Sequence, residues 1–228
     1  NTDGMLIRST ATLTTGASTV YQNLGLINNH GFEFDLEWRD KVGKDFIYTV
    51  KANLATVSNK VTKYRGKGIR LESKDVMTGS QNVAAFEEGY PVWYLRGYQL
   101  KEIDPATGNP VFVDQLTVDS NGDGVPDAGD GVITTSDKTY IGDGIPDFTY
   151  GATISLAYKN FDFLIYGAGS QGSQIMYGLL YPNLTGINFN NRPHFVFDDR
   201  WTPDQTNATK PSSVGENNPY YAYSDAVV

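Results

Sequence analysis

Phe32-Glu33-Phe34-Asp35-Leu36-Glu37-Trp38-Arg39 alternates four large apolar side chains with four charged ones, without a break. Successive side chains of a strand point to opposite faces, so this stretch has one greasy face and one charged face. The pattern returns at Phe46, Tyr48, Val50, Ala52 and Leu54, and again at Phe148, Tyr150, Ala152, Ile154, Leu156 and Tyr158. Ordinary strands run to about 5–6 residues, whereas these reach the ~9–11 that cross a bilayer as tilted barrel strands. The expected fold is all-β: a segment of an antiparallel transmembrane β-barrel with long extracellular loops. Strands are expected at 30–41, 46–57 and 148–158. Phe34, Leu36, Val50, Ile154 and Leu156 should face lipid, and Glu33, Asp35, Glu37 and Lys51 a polar lumen.

Composition narrows the classes. In 228 residues there is no cysteine, hence no disulfide framework and no thiolate site. No apolar run approaches the ~20 residues of a membrane helix. Tyr (15), Phe (11) and Trp (3) are plentiful, and Trp38, Phe46, Tyr158 and Phe161 flank the tight turns at 42–45 and 159–160, where a headgroup girdle would lie. Composition alone fits an aromatic-rich sandwich equally well. The net charge of -8 is concentrated: residues 102–147 hold ten acidic residues against one basic residue, Lys138. Nucleic acid, which needs clustered Lys and Arg, is not expected as a partner.

Barrels of this kind have short periplasmic turns and long outer loops. With both tight turns periplasmic, residues 65–147 form one extracellular excursion, carrying short strands around Val92–Tyr98, and about 173–228 form a second. The strand from Phe46 extends toward Tyr64, and the stretch from Thr10 to Asn29 reads as Thr/Gly/Ser-rich. About five spanning strands leave two unpaired edges, which lipid does not tolerate. The chain is therefore expected to be part of a larger barrel, and its start lacks the basic and apolar regions of a signal peptide.

The acidic excursion contains Asp119-Ser-Asn121-Gly-Asp123-Gly124-Val125-Pro-Asp127-Ala-Gly-Asp130. Oxygen side chains at positions 1, 3, 5, 9 and 12, with Gly at 6, match the spacing of a calcium loop, in which the Val125 carbonyl is the position-7 ligand. Asp at position 12 has a shorter reach than the usual Glu. An overlapping frame places Asp130, Gly131 and Asp137 at positions 5, 6 and 12. Two readings stay open: a Ca²⁺ site at Asp119, Asn121, Asp123, Val125, Asp127 and Asp130, or an acidic turn without an ion.

Three further stretches join that loop in order: Asn23-x-Gly25-x-x-x-Asn29-x-Gly31-x-Glu33, Ile141-Gly142-Asp-Gly-Ile-Pro146-Asp-Phe148-Thr-Tyr150-Gly151, and Asp199-Arg200-Trp201-Thr202-Pro203. Together they resemble the C-terminal part of the barrel of SusC/RagA-type TonB-dependent outer-membrane transporters. The resemblance implies a bacterial outer-membrane protein that imports oligosaccharides or peptides with a SusD-like surface lipoprotein. It also implies a plug and a TonB-contacting segment outside this chain, and no enzyme activity. The competing function is an extracellular all-β calcium-dependent binding or adhesive module, in which a second sheet would cover the Phe32, Phe34, Leu36 and Trp38 face.

Other motifs carry little chemistry. His30 and His194 are the two histidines and lack metal-ligand spacing. Glu33, Asp35 and Glu37 lie about 6.6–7 Å apart along one strand face, within inverting-glycosidase range, but a charged lumen explains all three at once. Asn183-Leu-Thr185 and Asn207-Ala-Thr209 are sequons without meaning in a bacterium. Gly167-Ala-Gly169-Ser-Gln-Gly172 lacks the helix and Lys of a phosphate loop.

Overall fold

A computed structural model describes residues 2–10, 19–65, 68–73, 83–176 and 194–212. The elements are β1 (Thr2–Thr10), β2 (Thr19–His30), β3 (Glu33–Val42), β4 (Phe46–Thr56), β5 (Ser58–Lys63), β6 (Arg70–Glu72), β7 (Ala84–Glu87), β8 (Tyr94–Gly97), β9 (Leu100–Ile103), β10 (Pro110–Phe112), β11 (Thr139–Gly142), β12 (Phe148–Tyr158), β13 (Phe161–Gln171) and a short helix α1 (His194–Asp198). Two compact units divide the chain: 1–70, 86–92 and 144–174 form one, and the remainder forms the other.

The first unit is built on a four-stranded antiparallel sheet, ordered β13-β12-β4-β3. The registers put all apolar alternates on one face. One row is Trp38, Val50, Ile154 and Ile165, and the next is Leu36, Ala52, Ala152 and Gly167. At the turn end the row is Val42, Phe46, Tyr158 and Phe161, and at the far end Phe34, Leu54, Tyr150 and Gly169. The opposite face carries Glu37, Lys51, Thr153 and Tyr166 in one row, and Asp35, Asn53, Gly151 and Ala168 in the next. Every residue of β3 is exposed. Phe34 is 59% and Trp38 59% exposed, so the second sheet that a sandwich requires over this face is not there among the described residues.

Two corrections to the sequence reading concern the far end. The Thr/Gly/Ser-rich stretch contains β2, which pairs with β1 on one side and β5 on the other. The strand read as continuous from Phe46 toward Tyr64 breaks at Val57, whose N–H turns to the Asp147 carbonyl at 3.4 Å. Even so, His30 faces Ser58 and Glu33 faces Ala55, so the residue count across the hairpin is unbroken from Ile27 and Val61 to the turn. The sixteen positions from Ile27 to Val42, fourteen of them paired, span about 53 Å at ~3.3 Å per residue, roughly 40 Å of height at a ~40° tilt, more than the ~30 Å of hydrocarbon. The β2–β5 end therefore extends past any lipid band.

The break has a local cause. A Cβ at Gly31 would lie 1.9 Å from the Thr56 carbonyl oxygen, so only glycine admits this approach. Beside it the Thr56 N–H donates to the Phe32 carbonyl at 2.8 Å, and the Thr56 hydroxyl accepts from the Phe32 N–H at 3.0 Å. The buried core of the unit lies on the extension: Ile27, Val61, Tyr64 and Phe86 pack with Met5 and Val92, and the Tyr64 and Phe86 rings meet edge-on at 5.1 Å.

The sheet β11-β8-β7-β6 and the hairpin β9–β10 lie within 65–147 and belong mostly to the second unit, with Arg70 and residues 86–87 in the first. The short strand expected around Val92–Tyr98 is β8, and the other five were not anticipated. Buried Arg96 is satisfied there by Glu72 at 3.4 Å and the Thr135 carbonyl at 3.2 Å, as a charge taken out of water must be.

An arginine at lipid-facing Val50 or Ile154 should destabilise the barrel by about 2–4 kcal/mol, against little at lumen-facing Thr153. Urea unfolding of the variants in lipid vesicles measures this, and equal costs on both faces would refute the assignment. Gly31→Ala should prevent the close approach and disrupt the hairpin above residue 33, read by amide exchange at Phe32 and Thr56.

Candidate functional site

Three features of the described chain bear on function: the two faces of the wall sheet, the acidic loop, and the segment at 199–212.

On the apolar face, aromatic rings bracket an aliphatic band. At the turn end Phe46 lies 6.5 Å from Tyr158 and 6.1 Å from Tyr48 between ring centres, and Trp38 Nε1 donates to the Tyr48 hydroxyl at 3.4 Å. At the other end Phe148 and Tyr150 are 6.0 Å apart. A Cβ at Gly169 would fall 2.6 Å from the Tyr150 hydroxyl, so the glycine makes room for that tyrosine to lie across β13. From Phe46 to Leu54 is about 26 Å along the strand, roughly 20 Å of height at a ~40° tilt, which fits within the ~25 Å apolar band of outer-membrane barrels. Phe34, Leu36, Val50, Ile154 and Leu156 all stand on this face, as their alternation requires. Glu33, Asp35, Glu37 and Lys51 stand on the other, where Lys51 pairs with Glu37 at 3.1 Å.

The acidic loop is shaped by its own carboxylates. Asp119 accepts from the N–H groups of Gly122 at 2.7 Å, Asp123 at 3.2 Å and Gly124 at 2.8 Å. Asn121 accepts from Asp123, and Asp123 from Val125. Gly122 and Gly124 have φ of 79° and 87°, the left-handed region that folds these oxygens inward. Asp127 turns to Ser120, accepting from its N–H at 2.8 Å and its hydroxyl at 2.9 Å. Asp130 caps its own turn at Val132. The Gly124 N–H, the largest influence, with those of Gly122 and Asp123 holds the Asp119 carboxyl below its ordinary value against the opposing effect of burial. The Ser120 N–H and hydroxyl do the same for Asp127. The structure thus draws Asp119, Asn121 and Asp123 into one turn and directs Asp127 and Asp130 to separate partners. Among the described residues no three His, Cys, Asp or Glu side chains converge as a metal-holding group.

Sequence reasoning missed the anchor of this region. Asp137, from the overlapping frame, is fully buried and closes a one-turn 3-10 helix at 135–137 as a capping box with Thr134. It accepts from the Gln115 N–H at 2.9 Å and the Thr134 N–H at 2.7 Å. Burial pushes its carboxyl up, but these bonds and the Thr134 hydroxyl outweigh burial and hold it below the ordinary carboxylate value. The signal was present as Thr-x-x-Asp at 134–137.

The Asp199-Arg200-Trp201 motif anchors a second turn. Trp201 Nε1 donates to the Pro105 carbonyl at 3.0 Å, and its ring fills the space where a Cβ of Gly108 would stand, 2.6 Å away. The Ser212 N–H donates to the Gly108 carbonyl at 2.8 Å. His30 and Asn207 are exposed, and the sequon at Asn183 lies outside the described residues.

No family model matches the chain. It is 31% identical over 201 residues to TonB-dependent receptor P3 of Formosa agariphila, a match covering 86% of the chain and 20% of that relative. It is 30% identical over 164 residues to TonB-dependent receptor SusC of Bacteroides thetaiotaomicron, covering 70% of the chain and 15% of that protein. Among solved structures, the RagAB peptide transporter is similar in fold with a TM-score of 0.75 at 19% identity, over 99% of the chain and 24% of its own. The RagAB importer in the open-open state gives 0.77 at 18% identity, over 99% and 23%. The chain spans about a fifth of the length of the curated relatives it matches.

Asp137→Asn should weaken the acceptor of two half-buried N–H groups and destabilise this turn by about 1–3 kcal/mol. Because the folded carboxyl titrates below its ordinary value, its stabilisation is complete above the unfolded value and is lost as pH falls through the lower folded one. Amide exchange at Gln115 and Thr134 should therefore accelerate only in strongly acidic buffer, and the Asn variant should show no such pH step. Receptors of a single kind recur in both comparisons, and the chain belongs with them, as a stretch of a SusC/RagA-type TonB-dependent transporter barrel.

Proposed function

We propose that the chain forms wall strands and outer loops of an outer-membrane active transporter, which imports oligosaccharides or peptides using energy relayed by TonB. The observation that carries this reading is the uncovered sheet with one apolar face, ringed by aromatics at both ends, and one charged face. Such a sheet needs lipid on one side and an aqueous passage on the other. The names of the relatives point the same way, and no catalytic residue is assigned. The rest of the barrel and the plug complete the wall and its TonB contact. A SusD-like surface lipoprotein is the partner, at the outer face.

In this reading the turns at 43–45 and 159–160 are periplasmic. Residues 65–147 and about 173–228 lie outside the cell, and the extension of β2 and β5 beyond the aromatic ring supports that polarity. Asp119, Asn121, Asp123, the Val125 carbonyl, Asp127 and Asp130 hold Ca²⁺, which neutralises a turn otherwise rich in like charge. Asp127 and Asp130 must leave their present partners to complete the 6–8 oxygens that the ion takes.

Two measurements on cells carrying the whole transporter test this reading. Protease added to intact cells should cut within 65–147 before it cuts either tight turn, whereas early cleavage at 43–45 or 159–160 would reverse the polarity. Chelation should raise amide exchange across 119–130 while the wall strands stay protected, and Asp123→Ala should reproduce that effect without chelator. An exchange pattern indifferent to calcium would leave the loop as an acidic turn.

A further inference from the structure

Resting on the reading of the charged face as a transporter lumen, we propose that Tyr166, Asn53, Asp35 and the Glu37–Lys51 pair form a wall subsite for one ring of a neutral oligosaccharide. Glu37, Lys51, Thr153 and Tyr166 stand side by side across the four strands, and Gly151 and Ala168 keep the adjoining row low. The result is a depression of about 360 Å³ with Tyr166 on one side and the Asp35, Glu37 and Lys51 side chains on the other. A Cβ at Gly151 would lie 2.8 Å from Asn53 Oδ1, so the glycine lets that amide lie over the floor. Tyr166 is 67% exposed and is the one aromatic among the paired residues of this face.

The donor set selects the ligand. Asp35 and Glu37 accept, Lys51 donates and Asn53 does both, which suits the hydroxyl groups of a sugar, while the Tyr166 ring offers an apolar platform for its C–H face. Lys51 and Glu37 compensate one another at 3.1 Å, and the remaining charge on Asp35 disfavours an anion. A cation finds no three-ligand group among the described residues. Strand addition, one of the ways a peptide binds, is closed at β4 and β12, which are each paired on both sides. A second depression of about 530 Å³, at Asn29, Glu33, Thr56 and Thr149, continues along the same strands. Its centre is about 13 Å away at four residues' rise, a step that an extended oligosaccharide bridges.

The test uses the whole transporter with its partner lipoprotein, purified in detergent and titrated with malto-, cello-, laminari-, manno- and xylohexaose and with a neutral hexapeptide. At least one hexaose should bind. Tyr166→Ala should weaken it about tenfold, a loss the size of one aromatic contact. Tyr166→Phe should retain affinity, Asn53→Ala should lose part of it, and heat-modifiable gel migration confirms that each barrel is folded. Undiminished affinity in folded Tyr166→Ala, or a wild-type protein that binds none of the five sugars, overturns the proposal. Tyr166-dependent sugar binding by a protein that imports nothing in energised cells would support the subsite and sink the transport reading, so the two failures are distinguishable.

Discussion

A backbone N–H or C=O placed in hydrocarbon has no water to bond to, and leaving one unpaired costs several kcal/mol. Everything in the wall sheet follows from that constraint. β12 is paired residue by residue with β4 on one side and β13 on the other, over eleven positions each and without a bulge. β3 and β4 pair over ten more. Among the described residues, the register shifts fall outside this sheet, in β1 against β2, β2 against β5, β8 against β11 and β9 against β10. An unbroken ladder fixes which residues share a face, and the shared faces in turn separate lipid from lumen.

The same constraint explains why the strands differ in how well they could be read. β3, β4 and β12 are legible because each must satisfy two different solvents, so the period of two is imposed on every residue. β13 is less legible because Leu164 and Tyr166 stand on the polar face. Their apolar character blurs the alternation. β2 was hidden for the opposite reason. Its Asn23, Asn28, Asn29 and His30 lie past the lipid band, where neither face needs to be apolar, and its place is set by pairing with β1 and β5. The break at Val57 was equally silent, since Thr56-Val57-Ser58 reads as ordinary strand. Its cause is Gly31, twenty-six residues away and in contact only after folding.

Outside the wall, loop chemistry was legible as residue types but not as partnerships. The spacing from Asp119 to Asp130 marked an oxygen-rich turn, and the structure agrees that Asp119, Asn121 and Asp123 fold into one. That Asp127 would prefer Ser120, and that Asp137 would be the buried anchor, depends on which N–H groups the fold leaves without another acceptor. Trp201 likewise reads only as part of a motif until Gly108 is seen to make room for its ring.

The central claim is that one face of β3 and β4 meets lipid and the other meets water. Single cysteines introduced from position 33 to 38 and from 48 to 54, in a segment that has none of its own, can each carry an environment-sensitive fluorophore in the reconstituted whole protein once any cysteine elsewhere is replaced by serine. Quenching by a lipid-borne quencher should be strong at 34, 36, 38, 48, 50, 52 and 54 and weak at the positions between them. A water-soluble quencher should give the inverse pattern. Quenching that rises and falls without a period of two, or a lipid quencher that reaches neither face, would contradict the barrel-wall account.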